Sequence, residues 1–335
     1  MEYDFTGKNV LVTGATGLIG SHLVRAVLKA GAAKVFAMSR SEDKLSRCFA
    51  DLQKNKKFAY LAHDVCQVLP ALPAYIDYIF HAAGPMERKA IANHPLSVIG
   101  PNIIGTRNCL NYLVAQNDER AGAVGRLILF SSVTVYGNNT LVDRIVAEDD
   151  TDITGKLSAF NAVYAESKRM SEVLAKAYIT EHQADVVIAR LSTVYGPAFF
   201  TPDTAFYEFI VHAAQDKDIT LHTADAPQRD NIFVDDAVNG LMTIALRGEC
   251  GEAYNISSNG EKGNFASISE IAELAIREAD DVFVRKGCAK VIYDQQTNVA
   301  RRPGLKMDHT RLQSLGWSLQ TSLSEGIRAT LKAQG

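Results

Sequence analysis

Tyr164 and Lys168 stand four residues apart in Tyr164-Ala165-Glu166-Ser167-Lys168, a spacing that puts a phenol and an ammonium on one face of a helix. A phenol with a pKa near about 10 is a poor base at neutral pH, and a neighbouring cation favours its phenolate. Lowering that pKa by about three units asks for roughly 4 kcal/mol of differential stabilisation. Upstream, Ser131-Ser132 closes an apolar run, which offers the Ser132 hydroxyl to the same substrate oxygen. Further upstream lies Gly14-Ala15-Thr16-Gly17-Leu18-Ile19-Gly20. Glycines at these positions let backbone approach a pyrophosphate, and a helix that follows presents free N–H groups to it. The glycine pattern gains its meaning from lying between a strand and a helix. In this order the residues describe an enzyme that moves hydride and a proton to or from a carbinol with a nicotinamide cofactor. Ser132, Tyr164 and Lys168 are the catalytic candidates. Gly14, Thr16, Gly17, Leu18, Ile19 and Gly20 are candidates for the cofactor's phosphates.

The elements that must position these groups follow from hydrophobic periodicity. Lys8–Thr13 is a short β-branched run ending in glycine, a buried strand. Ser21–Ala30 carries Leu23, Val24, Val27 and Leu28 at helical spacing and stops at Gly31. Strands are expected at Lys34–Met38, at Phe58–Ala62, within Tyr75–Ala83, at Arg126–Phe130 and at Asp185–Leu191, with helices at Asn102–Val114 and Ser158–His182. Such alternation predicts a parallel sheet with helices on both faces, and ligands at the carboxyl ends of its strands, where Gly14, Ser132 and Thr193 fall. The fold expected is α/β, a Rossmann-type doubly wound parallel sheet with a smaller C-terminal substrate-binding lobe. After about Tyr195, prolines at 197, 202 and 227 interrupt the rhythm. Asn231–Val234 and a helix from Asp235 to Leu246 then return to the first unit. The expected boundaries are 1–194 plus about 230–257 for the NAD(P)-binding domain, and 195–229 with 258–335 for the substrate lobe.

The second strand ends Met38-Ser39-Arg40. An acid there would bind the ribose 2′-hydroxyl of NAD, whereas an arginine accommodates the 2′-phosphate of NADP. Ser39 with Arg40 therefore points to NADP, with NAD as the alternative; Arg40 as a plain solvated charge also stays open. Asp64 and Val65, after the third strand, are candidates to meet the adenine. Ala82, Ala83 and Gly84, after the fourth, are small enough for cofactor to lie against backbone. His81 is read as a packed histidine, since it lies within the strand's apolar run.

The 335 residues, 47% of them hydrophobic, suffice for one large α/β unit or two intimate domains. Net charge is −3 with no long basic block, which argues against a nucleic-acid partner. No apolar run reaches the roughly 18 to 20 residues needed to span a bilayer, and the acidic start does not read as a signal peptide. Five scattered cysteines, with no Cys-x-x-Cys pair, fit reduced thiols in a cytoplasm and neither a disulfide framework nor a metal site.

The chain resembles the extended short-chain dehydrogenases/reductases, in the NAD-dependent epimerase/dehydratase family that acts on nucleotide sugars. The resemblance runs from Val12-Thr13-Gly14 to Leu315-Gly316-Trp317. It rests on the glycine turn, Ser131-Ser132-Val133-Thr134-Val135-Tyr136-Gly137, the Tyr164/Lys168 pair, Val194-Tyr195-Gly196-Pro197, and Arg229-Asp230-Asn231-Ile232-Phe233-Val234-Asp235-Asp236. It implies a catalytic triad of Ser132, Tyr164 and Lys168, with Lys168 also holding the nicotinamide ribose and Asn102 ordering the back of the site. It implies that Arg229 and Arg302 meet a substrate diphosphate, for which a guanidinium fork is suited; a surface salt bridge is the alternative for each. It also implies pairing of two subunits through the helices at 102–114 and 158–182. Thr193 stands where many relatives carry Asn, and it is retained with Thr134 as a substrate-contact candidate. Dehydratases of this fold carry acids at the two positions after the catalytic hydroxyl, and decarboxylases a glutamate at the second; here these are Val133 and Thr134. The expected function is NAD(P)-dependent nucleotide-sugar epimerisation. The alternatives are a nucleotide-sugar 4-ketoreductase or dehydratase, an NADPH-dependent reductase of an apolar ketone, and a non-catalytic NADP-binding sensor.

Overall fold

The computed structural model describes residues 3–84, 88–119, 124–137, 144–150, 162–221, 228–294 and 304–334. In chain order the first half contains β1 (Asn9–Thr13), α1 (Leu18–Lys29), β2 (Lys34–Ser39), α2 (Glu42–Cys48), β3 (Phe58–Ala62), β4 (Tyr78–His81), α3 (Arg88–Asn93), α4 (Leu96–Gly100), α5 (Thr106–Glu119), β5 (Arg126–Ser132) and β6 (Arg144–Val146). The second half contains α6 (Ala162–His182), β7 (Asp185–Leu191), β8 (Thr193–Tyr195), α7 (Ala205–Ala214), β9 (Ile219–Leu221), β10 (Arg229–Phe233), α8 (Val234–Arg247), β11 (Ala253–Ile256), β12 (Phe265–Ala266), α9 (Ile268–Val282), β13 (Val291–Tyr293), β14 (Leu305–Met307), α10 (Thr310–Ser314) and α11 (Leu323–Lys332).

Seven parallel strands form the main sheet in the order β11-β7-β5-β4-β1-β2-β3. Period-2 alternation divides its core. Val10 and Val12 of β1 join the side-chain cluster of α1 and α8, while Leu11 joins the cluster of α5 on the opposite face with Leu110 and Leu113. From β1 the chain winds outward through β2 to β3, then returns to β4 on the other flank. The crevice between the ends of β1 and β4 is therefore the switch point at which such sheets receive ligands.

A second sheet runs β12-β10-β14-β6, with β8 beside β10, and β9 pairs β13. Register sets Thr193 opposite Asn231. The strand expected at Asn231–Val234 begins at Arg229 and belongs to this second sheet; α8 and β11 then return to the main one. Among the elements not anticipated, α2 and β11 are short and carry little periodicity. Ser41 caps α2 by accepting from the Lys44 N–H, and β11 is specified by its neighbour β7.

The helix expected from Asn102 differs at its start. Residues 101–105 form a wide π-type turn, and regular α-helix begins at Thr106. Pro101 has no N–H to place in an α-helical ladder, and the Thr106 hydroxyl donates to the Asn102 carbonyl at 2.5 Å. Of the expected 158–182 helix, residues 162–182 are described. No helix among the described residues is long and apolar enough to cross a membrane.

Candidate active site

The glycine turn lies where β1 meets α1. Gly14 has φ +65°, and a Cβ there would sit 2.8 Å from the backbone of Ala82 and Ala83. Only glycine allows the ends of β1 and β4 to close so tightly. Gly17 precedes α1 in extended conformation, and no side chain caps the helix. The first-turn N–H groups, from Leu18 to Gly20, are thus presented to a ligand, the arrangement a phosphate needs. The Thr16 and Ser39 hydroxyls lie 2.9 Å apart, so the turn is tied to the end of β2, where Arg40 is exposed. Asp64 accepts from the Cys66 N–H at 2.9 Å, which fixes the loop after β3, and Val65 is buried beneath it.

One hydrogen-bond chain organises the floor. The Ala83 N–H donates to Thr13 Oγ1 at 3.3 Å, and Thr13 lies 2.8 Å from His81 Nδ1. His81 Nε2 lies 3.3 Å from the Pro101 carbonyl, which can only accept. Nε2 therefore carries the proton, and Nδ1 accepts from Thr13. That requires a neutral ring. Burial pushes His81 down to about 3, and the Lys168 charge pushes the same way. His81 is thus a packed structural histidine, linking the Ala82–Gly84 loop to the π-turn that carries Asn102.

Asn102 donates from Nδ2 to Ser167 Oγ at 2.8 Å, while its buried Oδ1 has no partner. That orphaned oxygen points at Gly84: a Cβ there would come within 2.6 Å of it and 3.4 Å of Lys168 Nζ. A glycine cradle at the switch point, an uncapped helix start and an unsatisfied buried carbonyl facing the same gap fit a dinucleotide with a nicotinamide end.

Beside this gap α6 places Tyr164 and Lys168 on one face. Both are buried. Lys168 Nζ donates to the Phe130 carbonyl at 2.7 Å and lies 5.8 Å from the centre of the Tyr164 ring. The Ser132 hydroxyl hydrogen-bonds the Tyr164 phenol. Ser132 also accepts from the Thr134 N–H at 3.2 Å, which caps the 3₁₀ turn Val133–Tyr136. The three catalytic candidates, distant in sequence, are therefore assembled at the ends of β5 and α6.

Before any ligand binds, Tyr164 is not poised as phenolate: burial pushes it up to about 12, and the Ser132 hydrogen bond only partly opposes this. Lys168 is itself pushed down to about 8 by burial, against the pull of Glu172. Desolvation thus opposes ionisation of both groups.

Of the substrate candidates, Thr134 keeps a buried hydroxyl without partner. Thr193 is partly buried on β8, beside the strand that carries the exposed Arg229. Arg302 lies outside the described residues. Sequence reading missed Thr13, Ser167 and Ser192, whose buried hydroxyl at the end of β7 also lacks a partner. Ser167 could have been found, because it lies between Tyr164 and Lys168. Among the described residues no cluster of His, Cys, Asp or Glu could hold a metal ion.

The chain is similar over nearly its whole length to known proteins. It is 27% identical to the dTDP-glucose 4,6-dehydratase of Shigella flexneri, over 96% of this chain and 91% of that protein. It is 28% identical to UDP-glucuronic acid decarboxylase 6 of Arabidopsis thaliana, over 96% and 87%. Among solved structures, the UDP-glucuronic acid 4-epimerase from Bacillus cereus, in complex with UDP-glucuronic acid and NAD, superposes with a TM-score of 0.75 at 25% identity, covering 97% of this chain and 98% of that one. The model of the NAD dependent epimerase/dehydratase family matches residues 10–257, the span from β1 to the end of β11 that contains the glycine cradle, Ser132, Tyr164 and Lys168; this chain belongs to that family.

Proposed function

We propose that this protein is an NAD(P)-dependent nucleotide-sugar epimerase. The observation that carries the reading is a complete Ser132–Tyr164–Lys168 set with no free carboxylate beside it among the described residues. Glu166 pairs with Arg169 at 3.6 Å and Glu172 with Arg190 at 2.8 Å. Glu148 accepts from the Asn255 N–H at 2.8 Å. The two positions after the catalytic hydroxyl are Val133 and Thr134. Elimination of water needs an added acid and base at the sugar, which neither supplies.

A bound nicotinamide supplies the hydride acceptor and donor. The chain's own residues handle the proton. Tyr164 takes it from a sugar hydroxyl as the carbinol is oxidised, and returns it when the keto group is reduced on its other face. Ser132 holds the same oxygen, and Lys168 stabilises the phenolate. Gly14, the start of α1, Thr16, Ala82–Gly84 and Asn102 would hold the cofactor, with Asp64 and Val65 at its adenine. Arg229 and Arg302 would meet the diphosphate, and Thr134 and Thr193 the sugar. In this reading residues 1–194 with about 230–257 carry cofactor, and 195–229 with 258–335 carry substrate.

Ser39 and Arg40 favour NADP over the NAD seen in the Bacillus cereus structure. That preference is also the observation behind a second reading, a nucleotide-sugar 4-ketoreductase that uses only the reductive half. Incubation with a panel of nucleotide-linked hexoses, followed by product NMR, tests the proposal. Interconversion of two epimers without added reductant is expected. A 4-keto-6-deoxy product would overturn the reading of Val133 and Thr134, and turnover only with NADPH would select the reductase.

A further inference from the structure

Behind the catalytic residues lies the ion pair of Glu172 and Arg190. Glu172 is on α6, one turn beyond Lys168 on the same face, and Arg190 is on β7. Arg190 meets Glu172 twice, Nε to Oε1 at 3.1 Å and Nη2 to Oε2 at 2.8 Å, with side-chain exposures of 11% and 13%. From this pair, contacts run to both ends of the Ser132 segment. The Ser131 hydroxyl donates to Glu172 Oε1 at 2.5 Å. Arg190 Nη1 donates to the Tyr136 hydroxyl at 2.9 Å, closing the 3₁₀ turn that follows Ser132. Arg169, on α6, donates to the Val135 carbonyl at 3.0 Å in the same turn.

The pair thus ties together three pieces that must agree in position: the helix of Tyr164 and Lys168, the strand end that carries Ser132, and the turn that carries Thr134. It also decides the charge environment of Lys168. Around that ammonium, β4 contributes His81, held neutral. The π-turn and α5 contribute Asn102 and the Cys109 thiol, which burial pushes up and keeps protonated. β5 contributes the Phe130 carbonyl, and α6 itself Tyr164, Arg169 and Glu172. Arg169 is engaged by Glu166 and the Val135 carbonyl, and Lys176, a turn further on, by the Gly251 carbonyl. Among the described residues, Glu172 is the one anion that acts on Lys168 against its burial. Arg190 holds that anion in place.

We infer that Glu172 and Arg190 form a positioning pair for the catalytic set, with Glu172 setting its charge one helical turn from Lys168 while Arg190 locks Glu172 and the Ser132 turn. This rests on Lys168 as the anchor of the nicotinamide ribose. The sign follows from the charges. Glu172→Gln removes the stabilising anion and leaves Arg190 as an uncompensated cation nearby. Both changes favour deprotonated Lys168, so the lysine loses its proton at lower pH. The double variant Glu172→Gln/Arg190→Met removes both charges and recovers part of the loss.

The readout is the affinity of the full-length protein for reduced cofactor across pH 6 to 10, which needs no knowledge of the sugar. The alkaline limit of binding should fall by about one pH unit in Glu172→Gln, and the double variant should lie between it and the native protein. Asp185→Asn is the structural control. It breaks the Arg126–Asp185 pair, 2.8 Å long, at the opposite end of β5 and β7, and should lower stability without moving the limit. A native alkaline limit in Glu172→Gln, or an equal shift in Asp185→Asn, overturns the inference. If Glu172→Gln does not fold, the double variant decides, because it buries no lone charge; a limit at the native value then overturns the idea. Absence of turnover on every nucleotide sugar would count against the proposed function and leave this titration readable.

Discussion

Replacing Tyr164 by Phe removes one oxygen and leaves the ring that fills the site. In the ligand-free protein the phenol is pushed up to about 12. At pH 8 such a group is ionised in about 1 molecule in 10,000. To act as a base there it must drop about four units, which asks for about 5 kcal/mol of preferential stabilisation of the phenolate. Lys168 Nζ lies 5.8 Å from the ring centre. At an effective dielectric near about 20, a unit charge at that range contributes about 3 kcal/mol. A second cation at similar range, the oxidised nicotinamide, supplies a comparable amount, so the two together cover the deficit and Lys168 alone does not. Three outcomes follow. Tyr164 should not titrate below about pH 10 in the free protein, read as the phenolate ultraviolet absorbance that is missing in Tyr164→Phe. Oxidised cofactor should bring that titration down by about two further units, and Lys168→Met should raise it by about two. Turnover of Tyr164→Phe on any accepted substrate should fall at least about a hundredfold with cofactor still bound. Near-native turnover, or a phenolate signal at neutral pH without cofactor, would refute the reasoning.

Other consequences can be checked separately. Calorimetry should find NADP bound more tightly than NAD, with Arg40→Ala narrowing the gap; equal or better binding of NAD by the native protein sinks the assignment. Gly14→Ala forces a side chain into φ +65° and against the Ala82 backbone, so a thermal melt should show a loss of about 1–3 kcal/mol, with cofactor affinity falling at least about tenfold; a native melt argues against the close approach. Met170 and Val173, 50% and 61% exposed on α6, lie on a helix that the family resemblance assigns to a subunit interface. Light scattering should give a homodimer that Val173→Glu weakens, and a monomer across micromolar concentrations would contradict it.

How much was legible beforehand depends on how local each feature is. The buried strands, the glycine turn and the placing of Tyr164 and Lys168 on one helix face could be read directly, because β-branched runs, positive-φ positions and a four-residue spacing are properties of a few adjacent residues. α2 and β11 could not, since a short element is chosen by what covers it more than by its own pattern.

The chemistry divides along the same line. Sequence alone determined which functional groups are present and in what order, and hence the expectation of a hydride-transfer site at Ser132, Tyr164 and Lys168 behind a glycine turn. Tertiary structure decided their state. It set the phenol against Ser132, threaded Thr13 and His81 between the cofactor loop and the π-turn, left Asn102 Oδ1 unpaired, and joined Glu172 to Arg190. Such contacts depend on strand register across a sheet in which β5 lies between β4 and β7. The protonation of Tyr164 and Lys168 depends on how completely water is excluded around them, and no run of neighbouring residues encodes that, because desolvation is set by everything packed around the group.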